Sequence, residues 1–128
     1  MSHVISKIDP YNVPFEYASF LQKAIKKNPL PDDPDLLDII DNAKHGNGEI
    51  YAIGDVGCLY AEFLPEIMHV ALLGADNILS IRDGLEDWAK SLMKDRGIRY
   101  FSILGRASWH KIFTELKPVG TFYQYDGG

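Results

Sequence analysis

Apolar residues along this chain mark one short strand, then recur at helical spacing, then at strand spacing, then in alternating helix and strand segments. Val4-Ile5-Ser6-Lys7-Ile8 alternates loosely and ends at Asp9-Pro10, where the proline lacks an amide for a ladder, so the pattern predicts a short first strand. From Phe15 to Asn28 the set Phe15, Ala18, Phe20, Leu21, Ala24 and Ile25 returns with helical period, and Lys23, Lys26 and Lys27 gather near the end that favours cations. That is an amphipathic helix. Pro29-Leu30-Pro31-Asp32-Asp33-Pro34 stops it and brings acidic caps to a second helix, with apolar residues Leu36, Leu37, Ile39, Ile40 and Ala43.

After Gly46-Asn47-Gly48 the period changes. Ile50 to Ile53 and Cys58 to Phe63 read as strands joined by the tight connection Gly54-Asp55-Val56-Gly57, which favours an antiparallel hairpin. Leu64-Pro65-Glu66 then leads into Ile67 to Leu73, apolar enough for a central strand, and the three strands form a meander. A helix carrying Leu85, Trp88, Ala89, Leu92 and Met93 follows, capped at its end by Gly97. Ile98 to Leu104 is the next strand. A strand-helix-strand crossover of this length makes the flanking strands parallel. Ala107 to Leu116 reads as a short helix, with Trp109, Ile112, Phe113 and Leu116 on one face, and Pro118 to Tyr125 as a last, aromatic-rich strand. With no linker or repeat, the expectation is one α/β (α+β) domain over residues 1–128, with a mixed central sheet of about six strands and about four helices.

Composition narrows the function classes. The 128 residues are 46% hydrophobic and 24% charged, an ordinary globular balance. Thirteen basic against eighteen acidic residues give a net charge of -5, so no global field draws nucleic acid or anionic lipid to the chain. The single cysteine, Cys58, excludes an internal disulfide and fits a reducing compartment. His3, His45, His69 and His110 fall in no zinc pattern, and no metal is expected. Nor does the start of the chain carry a basic segment followed by an apolar run, or any later stretch reach the ~20 apolar residues that span a bilayer. A cytoplasmic place, or one inside a particle assembled in a cytoplasm, is expected.

The order strand, two helices, three-strand meander, helix, strand, helix, strand resembles the fold of the GNAT family of N-acetyltransferases. Ile103-Leu104-Gly105-Arg106-Ala107-Ser108-Trp109-His110 through Val119-Gly120-Thr121-Phe122-Tyr123 is similar to the closing strand-helix-strand of that family, and most like small acetyltransferase-like proteins of tailed bacteriophages. The resemblance implies a single GNAT-like domain. For an active member it implies acetyl-CoA as donor, with the cofactor's diphosphate on backbone amides at a glycine-rich entry to the main helix.

The corresponding stretch here, Gly74 to Gly84, departs from the glycine-rich pattern. Ser80 is spaced to cap the helix, with Asp83 three residues on as a short capping box, and Glu86 and Asp87 are read into the first turn. Side-chain oxygens would then satisfy the amides, and the negative charge would oppose a diphosphate. Ser80, Arg82 and Gly84 remain the candidate cofactor contacts if the chain is an enzyme. The family's proton-donating tyrosine on the last helix aligns with Phe113, which has no proton to give, while Arg106 and Trp109 stand at the two earlier motif positions.

Glu62, Glu66 and His69, around the Pro65 turn, are the candidate bases for deprotonating an amine. Charged residues at strand ends are ordinarily solvated, and a histidine between apolar neighbours is ordinarily a satisfied interior one. Phe122, Tyr123 and Tyr125 are interface candidates, because aromatic terminal strands add to other sheets. The resulting expectation is an acetyltransferase-like phage protein that uses no cofactor. It would act through contacts with virion proteins, a host protein or a second copy of itself, in the host cytoplasm or the virion, without nucleic acid or membrane. The alternative is an acetyl-CoA-dependent N-acetyltransferase acting on an amine.

Overall fold

The computed structural model of the chain describes residues 4–27, 35–76, 78–103, 117–119 and 122–124. Strand β1 (Ile5–Ile8) leads to helices α1 (Phe15–Lys27) and α2 (Leu36–Lys44). Strands β2 (Glu49–Ile53), β3 (Gly57–Leu64) and β4 (Ile67–Ala75) form the expected antiparallel meander, followed by helix α3 (Ile78–Arg96). Strand β5 (Tyr100–Ile103) runs parallel to β4, as the crossover requires. Two short strands close the chain, β6 (Lys117–Val119) and β7 (Phe122–Gln124).

All seven strands form one mixed sheet in the order β1-β2-β3-β4-β5-β7-β6. The single last strand expected from Pro118 to Tyr125 is instead an antiparallel pair, with Val119 opposite Phe122. Only two residues separate the strands, and the first of them is a glycine, a hairpin signal that the run of apolar and aromatic side chains obscures. The helix expected at Ala107 to Leu116 lies outside the described residues.

Two apolar layers hold the sheet. On one face, Ile81, Leu85, Ala89 and Met93 of α3 pack on Tyr51, Ile53, Leu59, Met68, Val70 and Phe101. Trp88 joins this layer, edge-on to Tyr51 with ring centroids 4.9 Å apart. On the other, Leu21 and Ala24 of α1 and Ile39 and Ala43 of α2 pack on Ile50, Ala52, Tyr60 and Leu72. Burial pushes the Cys58 thiol in this second layer up to about 12, which keeps it an inert packing group.

Local signals set the helix ends. Asp35 caps α2 and forms a reciprocal box with Asp38, so the cap falls one residue after the Pro34 stop rather than at Asp32 or Asp33. At the end of α3 the amide of Ile98 reaches the Met93 carbonyl at 2.8 Å, and that of Gly97 reaches Lys94 at 3.4 Å. Gly97 has φ +67°, the left-handed closure that glycine permits without strain.

Candidate functional site

A kink in β4 creates the site. Tyr60 of β3 stands opposite Leu72 while its neighbour Ala61 stands opposite Val70, so Ala71 is an extra residue on β4. A bulge bends its strand and increases the local twist. It follows directly on Val70, whose pairing with Ile103 is the last between β4 and β5 among the described residues. Beyond that point β4 continues to Ala75 on β3 alone, and among the described residues no strand covers its other edge. Among the described residues the two strands form a fork in which β4 is the longer prong.

Helix α3 begins at Ile78, three residues after β4 ends. The connection is pinned by the Asp76 amide, which donates to the Val56 carbonyl at 2.9 Å. The first amides of a helix have no intrahelical acceptor, and here they are those of Ile78, Leu79 and Ser80.

This corrects the reading of a self-capped helix. Ser80 is the third residue of α3, not the residue before it, and cannot serve as its N-cap. No acidic residue stands in the first turn. Glu86 and Asp87 lie eight and nine residues in, roughly 12 Å along the axis, beyond the reach of the terminal dipole. The misreading has a plain cause: Ile78 and Leu79 are apolar residues in the first turn, and a cap-type serine after them mimics a helix start. Gly84 falls at the seventh position, inside the helical ladder, and Arg82 at the fifth.

Below the fork, three polar residues form a row across β3, β4 and β5. Glu62 pairs in register with His69, and His69 with Ser102. Met68 and Val70 pack under α3, so alternation turns His69 to the opposite face. His69 Nδ1 lies 3.1 Å from Ser102 Oγ, and Ser102 is a buried polar residue. Burial pulls the His69 imidazole below its ordinary range, and the Glu62 carboxylate opposes that pull. The Tyr60 hydroxyl donates to Glu62 Oε2 at 3.4 Å. Burial, with the charge of Glu62, pushes that phenol up to about 12, so it remains a donor.

Glu66 does not join this row. It is exposed at the tip of the β3–β4 turn, three residues and roughly 10 Å of extended strand from His69. Its φ of +65° and the proline before it fit a type II turn. Its carbonyl accepts the amides of Arg99 at 3.2 Å and Tyr100 at 2.8 Å, anchoring the start of β5. Phe122 and Tyr123 lie on β7, Tyr123 in register with Phe101. Tyr125 and the motif positions Arg106, Trp109 and Phe113 lie outside the described residues. Ser102 was not among the sequence candidates. Its only signal was one small polar residue in an apolar strand.

No family model matches the sequence, and no curated protein matches it. Solved structures do match. An acetyltransferase of the GNAT family from Staphylococcus aureus superposes with a TM-score of 0.59 at 15% identity, over 96% of this chain and 100% of that one. The fold is that of the GNAT acetyltransferases. A Bacillus subtilis acetyltransferase in complex with CoA matches with a TM-score of 0.55 at 18% identity, over 87% of this chain and 71% of the other. The PaiA N-acetyltransferase from Thermoplasma acidophilum, in complex with coenzyme A, gives 0.55 at 12% identity, over 97% of both chains.

The GNAT-like fold corrects the expectation that no cofactor is used. That expectation stood on Ser80 as cap and on acidic residues in the first turn, neither of which agrees with a helix that begins at Ile78, and two neighbours of this fold were solved with coenzyme A. All three neighbours come from cellular organisms, and they lend nothing to a phage or virion role. Among the described residues, no helix is long and apolar enough to cross a membrane.

Proposed function

We propose that this chain is an acetyl-CoA-dependent N-acetyltransferase acting on an amine. The observation that carries the reading is the acid-free first turn of α3, directly downstream of a β4 segment, Ala71 to Ala75, that pairs with β3 alone among the described residues. The two neighbours solved with coenzyme A support it.

The residues present fit such a donor. Among the described residues Ala71 to Ala75 pairs with β3 alone, and its other edge would offer backbone donors and acceptors to an elongated amide-containing molecule, as a neighbouring strand would. Amides of Ile78, Leu79 and Ser80 sit at the positive end of a 19-residue helix, where a diphosphate is favoured by both hydrogen bonding and the dipole. Acetyl-CoA, when bound, would supply an acetyl group activated as a thioester, whose C–S bond breaks as the amide C–N bond forms, with coenzyme A leaving as the thiolate.

The rest is work for the chain. An amine attacks only as the neutral base and must shed a proton as the new bond forms. His69 is the acceptor for that proton. Burial keeps its imidazole neutral around pH 7, and the Glu62 charge stabilises the imidazolium once formed. Glu62 therefore acts through His69, and Glu66 takes no part.

Calorimetric titration of the full chain with coenzyme A and acetyl-CoA tests the reading. Binding at micromolar concentration is expected. Heat changes no different from buffer up to millimolar ligand would overturn it.

A further inference from the structure

We propose that Ser102 is the positioning residue of this site: its hydroxyl oxygen accepts the Nδ1 proton of His69 and so holds the imidazole in the tautomer whose Nε2 is a free proton acceptor. The inference deepens the acetyltransferase reading and rests on His69 as the base.

The argument starts from register. His69 and Ser102 are 33 residues apart in sequence and meet only because β4 and β5 pair in parallel with these two residues opposite each other. They occupy the second-last register pair between these strands among the described residues. The side-chain contact of 3.1 Å therefore ties β4 to β5 just before the bulge.

A neutral imidazole has one nitrogen that donates and one that accepts, and the partner of either nitrogen selects which is which. A serine hydroxyl can play either part, so the two charge states of the base decide between them. Were Ser102 to donate to Nδ1, protonating the ring would place two donors face to face and force the hydroxyl to turn round. Were Ser102 to accept from Nδ1, the same bond would serve both neutral imidazole and imidazolium without any movement. Groups that need no reorganisation during the reaction are the ones that lower its barrier.

The surroundings support the second arrangement. Ser102 is 8% exposed, so its hydroxyl is held within the sheet rather than exchanging freely with solvent. From β3 the charged group acting on the ring is Glu62, which carries a negative charge that favours the imidazolium. From β5 the group touching it is the neutral Ser102. The ring's Nδ1 is thus committed to the sheet, and Nε2 is the nitrogen left for substrate.

Nitrogen NMR of the full chain labelled at histidine reads the tautomer directly, above the pH at which His69 titrates and with no ligand present. His69→Asn assigns the resonance among the four histidines. The wild type is expected to show the Nδ1–H form. In Ser102→Ala that form is expected to be lost in favour of the Nε2–H form that a free imidazole prefers. Ser102→Thr, which restores a hydroxyl on a side chain well suited to a strand, is expected to recover it. An Nε2–H tautomer in the wild type, or an unchanged tautomer in Ser102→Ala, would overturn the proposal. Failure to bind coenzyme A in the calorimetric experiment instead removes the acetyltransferase reading, and with it the role assigned to this tautomer. The two failures are read in separate experiments.

Discussion

Gly74 of β4 and Phe20 of α1 meet backbone to backbone, so closely that a Cβ on residue 74 would overlap the Phe20 carbonyl. Gly74 lies in the half of β4 beyond the bulge, opposite Cys58 of β3. The approach seats α1 directly on the half of β4 that pairs with β3 alone among the described residues. The Tyr17 hydroxyl fastens the same helix to the Gly54 carbonyl at 2.6 Å. One wall of the fork is therefore held at a fixed height by the absence of a single carbon atom.

Gly74→Ala is expected to destabilise the fold by about 1–3 kcal/mol, because neither the strand nor the helix backbone can yield as a flexible side chain would. Gly46→Ala is the control. Nothing lies within 4 Å of a Cβ there, and only the left-handed φ of 78° opposes the substitution, at about 1 kcal/mol. Urea denaturation of the two variants checks the difference. Equal losses would mean that α1 does not press on β4 at residue 74.

Glu49 sits at the centre of a second polar group, on the α3 face of the sheet. Arg96 donates to it at 2.9 Å, Lys7 at 3.4 Å, and the Tyr51 hydroxyl donates to it as well. Burial alone would raise the Glu49 carboxyl, but the bonds from Tyr51 and Arg96, with the charges of Arg96 and Lys7, outweigh it and hold the group below its usual 4.5. A carboxyl with a lowered folded-state value stabilises the fold above its unfolded value, and that contribution is lost as the pH falls through the folded-state value. Wild type is therefore expected to lose stability below about pH 4.5, and Glu49→Gln to lose less over the same range. Denaturation midpoints between pH 6 and pH 3, roughly the interval in which carboxyls titrate, measure this. Parallel curves for the two proteins would remove Glu49 from the account.

The pH dependence of acetyl transfer follows from His69. Because burial lowers its value below the ordinary 6.5, the acid limb of kcat/KM is expected to have its midpoint below that value, with the rate rising as the ring loses its proton. Glu62→Gln removes the charge that favours the imidazolium and is expected to move the midpoint further down. His69→Gln is expected to lower the rate by about 100-fold or more and to abolish the limb. An acid limb that survives in His69→Gln would assign the proton to another group.

Much of this architecture was legible in the chain itself. Leu36, Ile39, Ile40 and Ala43 mark a helix face. Cys58 to Phe63 and Ile67 to Leu73 mark strands with the connection Leu64-Pro65-Glu66 between them, of which the structure adds Leu64 to β3. The crossover length made β4 and β5 parallel. Errors came where neighbouring signals competed. Ser80 looked like a cap because a serine followed by an acidic residue three positions on is a common helix start, and the apolar Ile78 and Leu79 before it carry no capping mark. Phe122 and Tyr123 read as the continuation of one strand because apolar character hid the Gly120-Thr121 break.

What the sequence by itself determined was the kind and order of the elements, because periodicity and turn chemistry act over a few residues. Which residues of different strands meet depends on register, and register depends on how both faces of the sheet pack at once. The extra residue Ala71 and the contact of His69 with Ser102 both arise at that level. A one-residue slip of β5 would turn Ser102 to the other face and leave every local pattern unchanged, so only the tertiary structure decided that the row exists.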